Sequence, residues 1–167
     1  MRLQLEPLVE AHADHLLPGL SDARIYEFID ERAPQDLAVL RTRYKRLESR
    51  RSPDTQQLWL NWALKTANDS RYIRYVQASV TKALVANIAY VLFPSDWGQG
   101  YASEAVTEML DFLAFAKGVT SFIADVDSRN VRSVRLLERL GFTVSKGDRV
   151  GTESATERRY VLRLEAS

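Results

Sequence analysis

Ile88-Ala89-Tyr90-Val91-Leu92-Phe93-Pro94-Ser95-Asp96-Trp97-Gly98-Gln99-Gly100-Tyr101-Ala102-Ser103-Glu104-Ala105 reads as an apolar run, a glycine-containing turn and the opening of a helical pattern. Gly98 and Gly100 let backbone approach a bulky group and leave neighbouring amides unobstructed. A helix that starts here begins with N–H groups lacking an intrahelical acceptor and with a partial positive charge. Strand, glycine turn and helix start together make a cradle for phosphate. The rest of the chain decides which phosphate ligand.

Downstream, Ala102, Ala105, Val106, Met109, Leu110 and Leu113 trace one helix face. Ser121 to Val126 is a strand, and Asn130 to Leu140 a helix stopped by Gly141, which suits a left-handed C′ position. Phe142 to Ser145 and Arg159 to Leu164 read as a last pair of strands. Upstream, Leu3, Leu5 and Leu8 start a strand ended by Pro7, and Val9 to Leu20 has helical spacing up to Pro18-Gly19. Leu37, Leu40, Tyr44 and Leu47 form a second helical stripe, ending before Ser52-Pro53. The run from Leu58 to Leu64, the segment Tyr72 to Val80 and the segment Leu84 to Phe93 are three strands joined by short turns, an antiparallel meander. An antiparallel block thus precedes a strand–helix–strand–helix block, which predicts a mixed α/β (α+β) sheet and not a repeated βαβ array.

A chain of 167 residues is long enough for one domain with its own core and short for two, so residues 1–167 are read as a single domain. The formal net charge of +1 argues against a nucleic-acid binder working by bulk electrostatics. Absence of cysteine removes disulfides, thiolate metal sites and any thiol nucleophile, and fits a reducing compartment. Apolar stretches fall short of a bilayer span. Met1 to Glu6 alternates and contains an acid, as a strand does and a secretory signal does not. The expected location is cytoplasmic, with no membrane partner.

Three ligands compete for the loop. A nucleoside-triphosphate loop needs a lysine after its second glycine, and none stands between Pro94 and Lys117. A dinucleotide fingerprint gains Gly98, Gly100 and an acid at Asp125, but its third glycine is Ser103 and only one strand–helix–strand unit surrounds it. The third reading uses more of the chain. Leu92 to Ala102 resembles the acetyl-CoA loop of GNAT-type N-acetyltransferases, whose pattern is Q/R-x-x-G-x-G/A, with Trp97 in the Q/R place. Trp97 followed by Gly98, Gly100, Tyr101, Ala102, Ser103, Glu104 and Ala105 is similar to the RimJ/RimL-type branch. Asn130-Val131-Arg132-Ser133 and Leu140-Gly141-Phe142 are similar to that branch's N-x-x-S and L-G-F helix. The order of elements matches from Leu3 to Leu164.

The resemblance implies a GNAT-like fold: a central, mostly antiparallel twisted sheet flanked by helices, with a splayed strand at the acetyl-CoA site. It implies direct acetyl transfer from acetyl-CoA, as co-substrate, to a primary amine. Gly98, Gln99, Gly100, Tyr101, Ala102 and Ser103 would cradle the pyrophosphate, and the backbone of Tyr90, Val91 and Leu92 would pair with the pantetheine arm. Asn130 would touch that arm, or serve as a helix N-cap. Two positions depart from the family pattern. Asn87 stands where many members place a glutamate base, and it can hold a water but not take a proton. Leu137 stands where many place a tyrosine acid, leaving Ser133 as the nearest hydroxyl, equally suited to packing or cofactor contact. Asn87 and Ser133 are the candidate catalytic residues.

Other residues read more plainly. His12 and His15 lie on a helix face without a ligand set, so no metal is expected. Arg41, Arg43, Lys45, Arg46, Arg50 and Arg51 form a basic run, usually a solvated face, that also suits an acidic acceptor or RNA. Tyr26, Phe28, Trp59 and Trp62 are either core or acceptor wall. The acceptor is a peptide N-terminus or a small molecule such as an aminoglycoside or polyamine. A homodimer is compatible with the sequence. The rival from another class is a CoA-binding regulatory module without catalysis.

Overall fold

The computed structural model describes residues 1–145 and 156–164. Its strands are β1 (Leu3–Pro7), β2 (Leu58–Thr66), β3 (Tyr72–Val80), β4 (Val85–Leu92), β5 (Ser121–Asp127), β6 (Thr143–Val144) and β7 (Glu157–Arg163). Its α-helices are α1 (His12–Leu16), α2 (Leu37–Leu47), α3 (Tyr101–Lys117) and α4 (Val131–Arg139). One sheet runs β1-β2-β3-β4-β5-β7-β6, and β4–β5 is its parallel pair. The crossover that makes this pair parallel is α3.

The sheet separates two apolar layers. On one face Leu64, Ile73, Val76, Ile88 and Phe122 pack against Val106, Met109 and Leu113 of α3 and Leu136 and Leu137 of α4. Met109 and Leu113 have no exposed surface; truncating either to alanine costs about 2–5 kcal/mol. On the other face Leu8, Leu16, Leu20 and Ile25 meet Leu40 and Tyr44 of α2, with Ala63 and Phe93 beneath. Asp36 caps α2 by accepting from the Val39 N–H at 2.9 Å. Gly118 and Gly141 follow α3 and α4 at φ 68 and 88, the left-handed stop that Gly141 predicts.

The expected first helix, Val9 to Leu20, is shorter and broken. α1 ends at Leu16, and Leu17–Ser21 continues as a 3₁₀ turn. Pro18 has no N–H for an α-helical bond, and Gly19 lies against Phe93, whose ring carbons are 2.6 Å from where a Cβ would sit. His12 is not on a solvated face either. It is buried, its Nδ1 accepts from Val9 N–H, and its Nε2 lies 3.1 Å from Glu6. His15 stacks on Tyr72 at 5.0 Å. Among the described residues no cluster of His, Asp and Glu is suited to a metal, and no helix is long and apolar enough to cross a membrane.

The parallel seam is short. Val85, Ala86 and Asn87 pair with Ser121, Phe122 and Ile123, and then pairing stops. β4 continues to Leu92 along β3, and β5 continues to Asp127 along β7. The strands therefore part above Asn87, and the splay is where the glycine loop opens.

Candidate active site

A cavity of about 710 Å³ occupies the splay. β4 lines it with Ile88 to Leu92, β5 with Ala124, Asp125 and Val126, and α4 with Asn130, Ser133 and Leu137. Gly98, Gly100, Tyr101, Ala102 and Ser103 close one end, while Ile25, Phe28 and Ile29 cover another side. Every sequence-predicted cofactor residue except Gln99 therefore borders one space. Asn87 does not. It is exposed at the foot of the splay and outside the lining.

The loop is held by contacts distant in sequence. Asp96, 1% exposed, accepts from Arg71 Nη1 at 3.1 Å and Nη2 at 2.7 Å. Trp97 Nε1–H donates to the Leu92 carbonyl at 3.0 Å, and the Arg132 guanidinium lies 3.7 Å from the Trp97 ring centroid. Arg2 donates to the Gln99 carbonyl at 2.9 Å and is itself held by Glu104. Gln99 thus faces outward, its side-chain amide donating to Ser95. Gly98 and Gly100 sit at φ 74 and 81, where any other residue pays about 1–2 kcal/mol. The N–H groups of Gly98 through Ser103 meet no acceptor among the described residues, so they are available to an anion.

β4 offers its free edge to the same space. Phe93 N–H donates to Ile73 O, so the antiparallel ladder turns the Val91 and Ala89 backbone toward β3 and the Tyr90 and Leu92 backbone toward the splay. The Leu92 carbonyl is taken by Trp97, leaving the Leu92 N–H and both Tyr90 groups for a ligand. Val91 borders the cavity but its backbone belongs to the ladder. The Tyr90 hydroxyl donates to the Ser133 carbonyl at 3.3 Å, tying β4 to α4 across the opening. Burial pushes this phenol up to about 12, so it stays protonated. Asn130 caps α4, accepting from Ser133 N–H at 3.3 Å, and also borders the cavity. Leu137 is fully buried there, with no group to give a proton.

Both carboxylates that line the cavity are compensated, and so is Arg24. Asp96 is tied by Arg71, Asp125 by Arg159 through two contacts of 2.8 and 2.9 Å, and Arg24 by Asp22 at 2.6 Å. Asp125, which the dinucleotide reading assigns to a ribose, is thus an ion-pair partner across β5 and β7. Behind the wall of Ile25, Phe28 and Ile29, Glu31 accepts from Arg43 and Arg74, both at 2.9 Å, and from the Tyr75 hydroxyl at 3.1 Å. Arg74 is completely buried at φ 107. Local spacing gives no sign of these pairs. Of the proposed acceptor-wall aromatics, Phe28 lines the cavity, whereas Tyr26, Trp59 and Trp62 do not; Trp62 is buried, with the exposed Phe112 edge-on against it. Much of the basic run is tied down, Arg41 to Asp14, Arg43 to Glu31 and Lys45 to Glu10.

A splayed parallel seam, a free strand edge and an anion cradle at a helix start define a domain built to hold a long phosphorylated cofactor against a second reactant. Residues 2–143 match the acetyltransferase (GNAT) domain, and the chain belongs to that family, whose acyl donor is acetyl-CoA. The chain is 37% identical over 57 residues to p20 of Bacillus licheniformis, described as an uncharacterized N-acetyltransferase; the match covers 34% of this chain and 32% of that protein. Its fold is similar to RimL, a ribosomal L7/L12 alpha-N-protein acetyltransferase seen in complex with coenzyme A (TM-score 0.82, 16% identity, 100% of this chain and 97% of the other). It is also similar to the ribosomal-protein-S5-alanine acetyltransferase of Vibrio fischeri (TM-score 0.80, 16% identity, 98% and 93%).

Proposed function

We propose that the protein transfers an acetyl group from acetyl-CoA directly to a primary amine, with the α-amine of a peptide or protein N-terminus as the preferred acceptor, in the manner of the RimJ/RimL branch. The observation that carries this is the continuity of the cavity: anion cradle, free β4 edge and the Ile25–Ile29 wall border one space. When bound, acetyl-CoA supplies the activated acyl group. Gly98 to Ser103 would hold its pyrophosphate, Tyr90 and Leu92 would orient its amide arm, and the Leu92 N–H would meet the charge that develops on the carbonyl oxygen. Ser133, which lines the cavity, would be the hydroxyl available to the departing sulfur, which needs little help because a thiol titrates near 8.5. Most of the acceleration comes from aligning two bound reactants.

The compensated carboxylates favour an α-amine. Asp96 and Asp125 each face an arginine, and Asn87 lies outside the cavity. The acceptor then brings its own neutral fraction. An α-amine of pKa about 7.7–8.0 is roughly a tenth neutral at pH 7, whereas a lysine at about 10.4 is neutral at well under about 1%. The uncompensated charge in the cavity is positive, which disfavours a polyamine.

A thiol-release assay with acetyl-CoA over peptide N-termini, polyamines, amino acids and aminoglycosides tests this. Release with peptide N-termini is expected. Rapid acetylation of lysine side chains with none at N-termini overturns the acceptor assignment. Tight CoA binding with no turnover on any class favours the regulatory module.

A further inference from the structure

Arg74 is fully buried, and its charge partner is the Glu31 carboxylate at 2.9 Å, while its Nε and Nη1 meet no acceptor among the described residues. The Tyr75 hydroxyl donates to the same Glu31 oxygen at 3.1 Å. Burial, and then the Glu31 charge, push this phenol up to about 12, so it keeps the proton it donates. Successive strand residues ordinarily point to opposite faces of a sheet. Arg74 and Tyr75 reach one atom because β3 is bulged there. β2 pairs Leu64 with Arg74 and Lys65 with Tyr72, which leaves Ile73 over, and Arg74 sits at φ 107. A strained backbone and a buried cation thus both serve to hold one carboxylate.

That carboxylate belongs to the segment that walls the cavity. Phe28 to Gln35 is neither helix nor strand and makes no backbone–backbone hydrogen bond among the described residues. Its side-chain hydrogen bonds among those residues are all made by Glu31, with Arg43 of α2 and with Arg74 and Tyr75 of β3. Phe28 and Ile29, just before Glu31, line the cavity. On the far side of the contact, Arg74 pairs with Leu92 in the β3–β4 ladder, the residue whose N–H faces the splay. One carboxylate therefore joins the wall beside the acceptor to the strand position beside the acyl carbonyl. We propose that Glu31 is a positioning residue for acetyl transfer: it fixes the Ile25–Ile29 wall against the Leu92 edge of β4 and so sets the alignment of the amine on the thioester. This rests on the reading of the cleft as an acetyl-transfer site.

The test compares Glu31→Gln with Glu31→Gln/Arg74→Met by kinetics, melting and a distance measurement. The glutamine keeps the shape and an acceptor for Tyr75 but not the charge. In the single variant, kcat/KM for a peptide acceptor falls by about tenfold or more, while coenzyme A affinity stays within about threefold. The double variant removes the stranded cation, so its melting temperature recovers, but its acceptor kcat/KM stays low because the wall is still untethered. The chain has no cysteine, so Asp30→Cys and Phe115→Cys, both at exposed positions, take spin labels on the wall segment and on α3 without competition. The label-to-label distance distribution is expected to broaden about twofold or more when Glu31→Gln is added. An unchanged distribution overturns the proposal, whether or not the protein turns over. An acceptor kcat/KM that recovers together with the melting temperature overturns it too, since Glu31 then acts through stability alone. Failure of the wild type to release thiol with any amine sinks the acetyl-transfer reading instead, and the distance distribution still decides whether Glu31 tethers the wall.

Discussion

Arg71→Met attacks the loop from beneath without touching the cleft. Asp96 is fully buried at its side chain, whereas Arg71 is 47% exposed. Removing one partner of a buried pair costs about 3–5 kcal/mol because the remaining charge has no compensation. Here water can enter where Arg71 stood, and the Ser95 hydroxyl still donates to Asp96 at 3.0 Å. The expected cost is therefore lower, about 2–3 kcal/mol. At roughly 2–4 °C per kcal/mol for a chain of this size, the melting temperature falls by about 4–12 °C. Coenzyme A affinity falls with it, since Asp96 directly precedes Trp97 and the cradle. Calorimetric melting and ligand titration read the two effects. Arg71→Met/Asp96→Leu removes the stranded charge and recovers part of the stability. A drop under about 2 °C in the single variant, or a double variant no better than the single, refutes the account of the loop as held by this pair.

Other perturbations test separate links. Gly100→Ala places a side chain at φ 81 and a Cβ 3.3 Å from Arg2; a loss of about 1–2 kcal/mol and at least tenfold weaker coenzyme A binding are expected in melting and titration experiments. Gly19→Ala drives a methyl to 2.6 Å from Phe93, costing about 1–3 kcal/mol, and Phe93→Leu in the same chain relieves most of that loss. Tyr72 first, with His12 and Lys65 and against burial, holds Glu6 below the usual carboxylate range, and Arg129 does the same more strongly for Asp127. Lowered folded values mean that this stability is complete above about pH 4.5 and is lost as pH falls through them; melting temperature should be level from pH 7 to 5 and fall below pH 4, less steeply in Glu6→Gln. With a peptide acceptor, kcat/KM should rise with pH to about 8 and then level, following the amine; a plateau already reached at pH 6 would reveal an enzyme base.

Much of this site is legible in the chain because its information is local. Gly98, Gly100 and the helix start lie within a few residues, and strand alternation locates the β4 edge to within a residue. Gly141 and the Asn130 cap are likewise short-range. What holds these parts together is not local. Arg71 reaches Asp96 across 25 positions, Arg74 reaches Glu31 across 43, and Arg2 reaches Glu104 across 102; no periodicity encodes such pairs. The break in the first helix was partly legible at Pro18, whereas the close approach of Phe93 to Gly19 is a tertiary fact. The outward face of Gln99 depends on Arg2, and Asn87 lies outside the cavity because the seam ends at its own position.

The short seam between β4 and β5 makes the sheet two plates joined along three residue pairs. Bending between the plates concentrates at that joint, with the Tyr90–Ser133 and Trp97–Arg132 contacts reaching across the gap. A ligand arm that bonds to the β4 edge while touching β5 and α4 becomes a strut. Its binding free energy and the stiffness of the sheet are then coupled quantities, so a substitution that merely loosens the joint would be paid in cofactor affinity.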